Sequence, residues 1–321
     1  MTRYEDFMKN EEIREFWNSN LNNRCICLPK GNLYHYTSAN VLASIMQNQT
    51  FWVTKSNFMN DLSEIDYASK LFLERLECSK LNKEDRREFK ESFESARDKG
   101  LFDNIYVFCL SGNQDSLPMW NYYGKNDGYN IGVSPELVAD LANLEYIKKK
   151  TFKNSNFTES EGKKCVEINT HEKVSFKHII KANYVLYDKD KQIKIFDLLL
   201  EEINFLIENG KDVKQMLDLL VDFIPFMKHS SYHNEEEYRI LIQLKPAGSN
   251  PLKLNKIQKY RVFNGALIPY ISLKLNNPEY FKSIGIGPCN LNSLSLVGIE
   301  DLVATYPSKL EIGKSKVPSR F

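Results

Sequence analysis

The sequence lacks a long apolar segment and an excess of charge of either sign. Its most apolar stretches, such as FDLLLEEINFLI (196–207), contain acidic residues and are too short to cross a bilayer. With 43 Lys and Arg against 42 Asp and Glu, the net charge is +1, so no overall field attracts nucleic acid or an anionic membrane. We therefore expect a protein without a membrane partner, and any polyanion must be met by a local patch.

The six cysteines contain no Cys-x-x-Cys pair, and the first 17 residues are charged rather than apolar. This pattern predicts free thiols, a reducing compartment and a cytoplasmic location. His229 and His233 are four residues apart but lack the acidic partner of a zinc-protease helix, so we expect no metal site. The sequence also lacks a Gly-x-Gly-x-x-Gly loop, a Walker loop and a Gly-x-Ser-x-Gly elbow, which excludes the common folds that depend on them.

The distribution of apolar residues predicts an α+β protein with a mixed, mainly antiparallel sheet and helical insertions. Short β-branched or aromatic segments indicate strands, as in NIYVFCLS (104–111) and YRILIQL (238–244). They are separated by helices of uneven length, with no regular βαβ spacing. We predict a helical extension over residues 1–32 and a single α+β domain over 33–321, with helical insertions near 62–100 and 193–228.

Three motifs carry candidate chemistry. A histidine lies within the short strand pattern LYHYTS (33–38), which is followed by a helix and then by the aromatic strand FWVT (51–54). The segment MWNYYGKNDGYN (119–130) combines aromatic rings with glycines. Three consecutive glutamates, Glu235 to Glu237, precede the strand that contains Arg239. A charge run before a strand is commonly just solvated, and strand histidines commonly just pack, so the residue types alone leave the function open.

These motifs resemble, in the same order, those of a bacterial family filed as domain of unknown function 2971. The resemblance covers roughly residues 33–320. It includes YHYTS…SIMQNQTFWVTKSNFMNDLSE, CLS…MWNYYGKNDGYNIGV, HNEEEYRILI, and SIGIGP with KSKVPSR near the end.

The opening block in turn resembles ADP-ribosyltransferases, and this second resemblance implies an ADP-ribosyltransferase-like sheet and NAD as the substrate. It implies that His35 orients the ribose, that Trp52 or Phe51 supplies an aromatic face, and that Glu237, with Glu235 two residues before it, is the catalytic carboxylate. Bacterial enzymes of this kind act as toxins or antiviral defence effectors. The acceptor and the oligomeric state remain open.

The predicted site therefore has two sets of residues. The catalytic set is His35, Glu235 and Glu237. The set that binds NAD, or a related nucleotide, is Tyr36, Thr37, Trp52, Asn60, Trp120, Tyr123 and Arg239. Cleavage of the nicotinamide–ribose bond builds positive charge on the sugar, which a fixed carboxylate stabilises, while aromatic faces stack on flat rings.

Two alternatives stay open at this stage. A metal-dependent nuclease or phosphodiesterase would use Asp61, Glu64, Glu235 and Glu237, because clustered carboxylates suit two-ion phosphoryl chemistry. A non-catalytic module would bind a nucleotide or a partner protein without turnover.

Overall fold

In the computed structural model, the described residues are 7, 9–17, 25–59, 63–124, 128–141, 166–168, 176–246, 257–290 and 292–318. The strands among them are β1 (Leu33–Ser38), β2 (Thr50–Lys55), β3 (Ile105–Ser111), β4 (Gly128–Val133), β5 (Val166–Ile168), β6 (Phe176–Tyr184), β7 (Glu237–Pro246), β8 (Lys259–Phe263), β9 (Ala266–Leu275), β10 (Phe281–Ile286) and β11 (Glu311–Lys314). The longer helices are α1 (Glu11–Trp17), α2 (Ala39–Asn48), α3 (Ser63–Glu77), α4 (Lys83–Asp98), α5 (Lys189–Glu208), α6 (Lys214–Phe223) and α7 (Ser293–Thr305).

These strands form one sheet in the order β11-β10-β4-β1-β3-β2-β9-β5. Strand β7 joins it by pairing with β3 and carries β6 on its other edge, and β8 pairs with β9. The named strand pairs are antiparallel except β10 with β11. A mixed α and β structure with a mainly antiparallel sheet was predicted from the sequence, and the strand order confirms it.

Strand β3 is the point where the sheet divides. Along one edge, β3 pairs with β7 over its whole length. Two strands share the other edge of β3. Strand β2 pairs with the first part of β3, at Val107, and β1 pairs with its last residue, Ser111. Strands β1 and β2 therefore diverge, and α2 connects them. Among the described strands, none pairs with the stretch of β3 between these two contacts on this edge.

Hydrophobic side chains form one large cluster on each face of the sheet. Successive residues of β3 alternate between them, as a strand requires: Tyr106 and Phe108 belong to one cluster, while Ile105 and Val107 belong to the other. Helices α1, α3, α4, α5 and α6 pack in the second cluster. The helical pair near 195–227 is thus part of the core, and each fully buried Leu or Phe in it contributes roughly 1.5–3 kcal/mol.

Local signals explain where the helices of this pair begin and end. The Asp188 side chain accepts hydrogen bonds from the backbone N–H groups of Asp190 and Lys191, which caps α5. The apolar stripe of α5 ends at Asn209, and Gly210 follows with a φ of 62°, a conformation that glycine adopts without steric cost.

The hairpin of β8 and β9 was not predicted. Its turn residues Asn264 and Gly265 have φ values of 48° and 78°, the left-handed conformations of a type I′ hairpin turn. Strand β8 pairs with β9 through this turn and so adds a strand to the sheet.

No helix in the described part of the chain is both long and apolar enough to cross a membrane. The division of the chain into a helical extension and one domain stays a prediction. Helix α1, however, packs in the second cluster through Ile13 and Trp17.

Candidate functional site

A cavity of about 800 Å³ opens where β1 and β2 diverge from β3. Residues from both faces of β3, Val107 to Leu110, line it because the edge of β3 is uncovered there. The remaining walls come from β1, α2, β2, the loop around Tyr122 and the segment that leads into β7. Its volume is within the range of small-molecule sites.

The structure brings most of the predicted site residues to this cavity. Those that line it are His35, Tyr36, Trp52, Tyr123, Glu235 and Glu237. Those that do not line it are Thr37, Trp120 and Arg239. Asn60, like Asp61 of the nuclease alternative, is outside the described residues. The functional roles of all these residues stay predictions.

His35 lies where β1 and β2 diverge, beside the part of β3 between its contacts with these two strands. Its Nδ1 atom is 3.4 Å from the carbonyl oxygen of Cys109. The imidazole packs against Phe51 and Phe108, with centroid separations of 5.4 Å for both rings. Burial, opposed by the hydrogen bond to Cys109 and reinforced by the charge of Arg261, lowers the pKa of His35 to about 4. The imidazole is therefore neutral at pH 7.

The backbone at Glu236 determines which of the three glutamates face the cavity. Glu236 has a φ of 45°, and its carbonyl accepts a hydrogen bond of 2.7 Å from the Gly112 N–H. The chain turns sharply there, so Glu235 and Glu237 are buried while Glu236 is exposed and binds the Asn113 amide. A uniformly solvated charge run is therefore not what the structure contains.

Glu237 is held by two cations. Arg239 follows it on the same face of β7 and donates from Nε to Oε1 at 2.7 Å and from Nη2 to Oε2 at 2.9 Å. Lys228 Nζ contacts Glu237 Oε2 at 3.4 Å and Glu235 Oε2 at 2.7 Å. Each of these four side chains is less than a tenth exposed. They form a buried ionic network in which two carboxylates balance two cations.

The network determines the ionisation of Glu237. Burial alone would raise its pKa, but the charges of Arg239 and Lys228 and hydrogen bonds from Arg239 and Cys109 outweigh it, so the pKa is well below its usual value. Glu237 is thus a permanent negative charge at neutral pH and a poor proton acceptor. Two tyrosines lie beside it. The Glu237 N–H donates to the Tyr187 hydroxyl at 3.1 Å, and burial, with the nearby glutamates, raises the pKa of Tyr123.

Arg239 was predicted to bind NAD. In the structure it pairs with Glu237, and its Nη1 also donates to the carbonyl of Pro225 at 2.6 Å. With its guanidinium bound to these partners, Arg239 does not reach the cavity. Lys228, which does line the cavity, contacts Glu235 and Glu237, and its Nζ lies 4.7 Å from the Tyr232 ring centroid.

Trp120 packs inward and is not a wall of the cavity. Its indole ring contacts Tyr36 edge to face at 4.6 Å, and its Nε1 donates to Asp115 at 2.8 Å. Asp115 also accepts from Ser315 and Lys316 near the C-terminal end of the chain. Trp120 therefore anchors the loop whose next aromatic residues, Tyr122 and Tyr123, face the cavity.

The mouth of the cavity is aromatic. Trp52 is 40% exposed and stacks on Tyr270 at a centroid distance of 4.7 Å. Phe58, Tyr122 and Tyr123 are also exposed along its rim. Exposed rings that are already held in place provide stacking surfaces for a flat ligand at low entropic cost.

The sequence analysis missed Arg261, a cavity residue on β8. It was missed because β8 itself was not predicted. The dipeptide Asn264-Gly265 after the β-branched and aromatic run KYRVF (259–263) is a strong hairpin signal, and it would have revealed the strand.

Among the residues that the structure describes, no group of three or more His, Cys, Asp or Glu side chains is arranged to hold a metal ion. Glu235 and Glu237 are bound to cationic side chains, and a metal ion would have to compete with Lys228 and Arg239 for them.

Comparison with known proteins adds one finding. A family model described as a protein of unknown function (DUF2971) matches residues 119–240, and this supports the domain-of-unknown-function family that the motifs resemble. The matched region contains Tyr123, Lys228 and Glu237 but neither His35 nor Arg261. No curated protein and no solved structure matches the chain.

Proposed function

We propose that the cavity binds NAD and that the protein cleaves the bond between nicotinamide and ribose, transferring ADP-ribose to a macromolecule or to water. The observation that carries the proposal is that His35 and Glu237, far apart in the sequence, line one cavity with Trp52 and Tyr123. In this proposal the sheet is ADP-ribosyltransferase-like, and the protein acts as a toxin or an antiviral defence effector.

Glu237 supplies the charge that the reaction needs. As the bond to nicotinamide breaks, positive charge develops on the ribose, and an ionised carboxylate nearby stabilises it. Because Arg239 and Lys228 hold the carboxylate in place and ionised, it needs no reorganisation during the reaction. Its low pKa means that the proton of the attacking water passes to solvent or to another group, not to Glu237.

His35 and the aromatic rim position the substrate. The neutral imidazole can accept one hydrogen bond from a ribose hydroxyl at Nε2, because its single N–H, on Nδ1, donates to the Cys109 carbonyl. Trp52 and Tyr123 offer faces for the nicotinamide or adenine ring, and such stacking is worth roughly 1–3 kcal/mol per base in nucleic-acid sites. His35 packs against Phe108 on one face of β3, whereas Glu237 lies on the opposite face with the Cys109 side chain, so a sugar that contacts both would extend across the uncovered edge of β3.

The test is release of nicotinamide from NAD by the purified protein, with and without a cell extract that supplies acceptors. We expect Glu237→Gln to reduce release by about 10²–10³-fold, the scale of one preorganised electrostatic contact. Glu236→Gln is the matched control, because the neighbouring side chain points away from the cavity and a glutamine can still accept from Asn113. Full activity of Glu237→Gln would contradict the proposal.

Glu237→Gln also weakens a buried ionic network, so loss of activity must be separated from loss of structure. Thermal unfolding of each variant provides that check. Trp52→Ala is a second test, because its exposed ring contributes little to the core. We expect a higher KM for NAD in a protein of nearly normal stability.

A second candidate is a module that binds the nucleotide without turnover. One observation favours it: both carboxylate oxygens of Glu237 already accept hydrogen bonds from Arg239 or Lys228, as expected of a structural ion pair. Calorimetric binding of NAD with no release of nicotinamide, with or without extract, would establish this candidate in place of the enzyme.

A further inference from the structure

Among the described residues, Lys228 and Arg261 are the cations that line the cavity, and Arg261 is the one that has no carboxylate partner. Its Nη2 is 3.4 Å from the Thr54 hydroxyl, and the Phe263 ring centroid is 5.9 Å from its Cζ. Its Nε atom is buried, and no described group accepts a hydrogen bond from it. Lys228, by comparison, contacts two glutamates.

A partly buried guanidinium without an anion is costly, because desolvation is not repaid by a charged partner. Burial accordingly lowers the pKa of Arg261, and the charge of Arg261 is in turn one cause of the low pKa of His35. The Arg261 side chain therefore lies close enough to His35 for its charge to act on groups inside the cavity. A fixed fork of N–H donors in such a position matches a phosphate, which can accept two parallel hydrogen bonds.

The neighbours of Arg261 form a surface suited to a nucleotide. Trp52 and Thr54 are two residues apart on β2 and share a face, and Thr54 is the register partner of Tyr270 on β9. The stacked pair of Trp52 and Tyr270 thus lies beside the guanidinium. Aromatic face and phosphate donor are adjacent on this wall.

The glutamates lie on a different wall. Thr54 pairs with Val107 of β3, and Glu237 pairs with Ser111 of the same strand from its other side. The two positions are separated by two strand spacings, about 10 Å, and by four residues along β3, about 13 Å. The cavity therefore has a positive wall at Arg261 and a carboxylate wall at Glu237, and a ligand that contacts both must extend beyond a single ring.

We propose that Arg261 binds a phosphate group of the ligand in this cavity, with the adjoining ring stacked on Trp52. This inference deepens the proposed function, since it places the phosphates of NAD at β8 and the reacting ribose at β7. It rests on that function only for the identity of the ligand.

The experiment uses ADP and adenosine as probes, because they differ only in the diphosphate and neither contains a nicotinamide bond. Calorimetry on the full chain should show that the wild-type protein binds ADP more tightly than adenosine. Arg261→Gln should weaken ADP binding by about tenfold to a hundredfold, the scale of a hydrogen bond to a charged group, and leave adenosine binding unchanged. Arg261→Lys keeps the charge but not the fork, so its affinity for ADP should be intermediate.

Lys259→Gln is the matched control. Lys259 is exposed on the same face of the same strand, does not line the cavity, and carries the same charge. We expect it to bind ADP as the wild-type protein does. Because Arg261 has no carboxylate partner among the described residues, Arg261→Gln should not lower the melting temperature, which separates a ligand contact from a structural role.

The proposal is overturned if the wild-type protein binds ADP no better than adenosine, or if Arg261→Gln and Lys259→Gln bind ADP equally well. It stands if ADP binding depends on Arg261 even when NAD is not cleaved. In that case the phosphate site is real and the enzymatic proposal alone has failed.

Discussion

The buried network around Lys228 makes a quantitative prediction about stability. Replacing Lys228 by methionine keeps most of the side-chain volume but removes the ammonium that contacts Glu235 at 2.7 Å and Glu237 at 3.4 Å. Glu237 retains Arg239, whereas Glu235, whose side chain is only 9% exposed, loses its ion-pair contact with Lys228. Removing one partner of a buried pair costs about 3–5 kcal/mol, a large part of the 5–15 kcal/mol typical of a folded protein.

The loss should depend on pH in a defined direction. In the wild-type protein the pKa of Glu237 is lowered by folding, so its contribution to stability is complete above the unfolded pKa and is lost as the pH falls through the folded pKa. In Lys228→Met, we expect the pKa of buried Glu235 to rise in the folded state. The folded state then takes up a proton more readily than the unfolded state does. The deficit of Lys228→Met should therefore be smaller at about pH 5 than at pH 7.

Urea unfolding followed by tryptophan fluorescence measures the free energy of unfolding at each pH. Lys214→Met is the control, because Lys214 is exposed on α6, and a change within about 0.5 kcal/mol is expected there. Adding Glu235→Gln to Lys228→Met should restore most of the loss, since the double variant no longer buries the carboxylate that Lys228 contacted. The reasoning is refuted if Lys228→Met costs no more than Lys214→Met at pH 7.

Three further predictions concern other parts of the site. The His35 imidazole should titrate near pH 4 by NMR, and a midpoint at 6.5 would contradict this. Because folding lowers its pKa, the free energy of unfolding should decrease as the pH falls from about 6.5 to 4, by at most about 3 kcal/mol. His35→Gln should abolish this contribution. Trp52→Ala should weaken NAD binding in calorimetry by roughly 1–3 kcal/mol, and unchanged affinity would remove the stacking role. Gly128→Ala should lower the free energy of unfolding in urea by about 1–3 kcal/mol, because a Cβ there would lie 2.5 Å from the Cα of Gly124. Gly31→Ala is the control and should change it very little, because the Cβ would lie in open space. Equal effects of the two substitutions would contradict the close approach.

Much of the secondary structure could be predicted from the sequence, because local patterns specify it. The patterns of LYHYTS, NIYVFCLS and YRILIQL predicted β1, β3 and β7, and the helical insertion predicted near 193–228 contains most of α5 and α6. The exception, β8, was missed although Asn264-Gly265 is a local signal that predicts it. The sequence therefore contains enough local information to predict β8.

The composition of the cavity could be predicted only in part. Placing His35 and Glu237 at one cavity required a family resemblance, because no local pattern states which strands are neighbours. Trp120 is the opposite case. Its indole ring is suited to stacking on a ligand, but its hydrogen bond to Asp115, which also binds Ser315, holds the ring away from the cavity. The hydrogen bond between Ser315 and Asp115 joins residues that are 200 positions apart.

The kinds of elements, their order along the chain and the residue types available for chemistry follow from local sequence. They depend on propensities and periodicities within a few neighbouring residues. Three features depend on long-range packing: β1 and β2 diverge from β3, Glu235 and Glu237 are buried around Lys228 while Glu236 is exposed, and Arg261 faces the cavity with no carboxylate partner among the described residues. The reason is that strand pairing uses backbone hydrogen bonds common to all residues, so partners are chosen by the burial of side chains from distant parts of the chain.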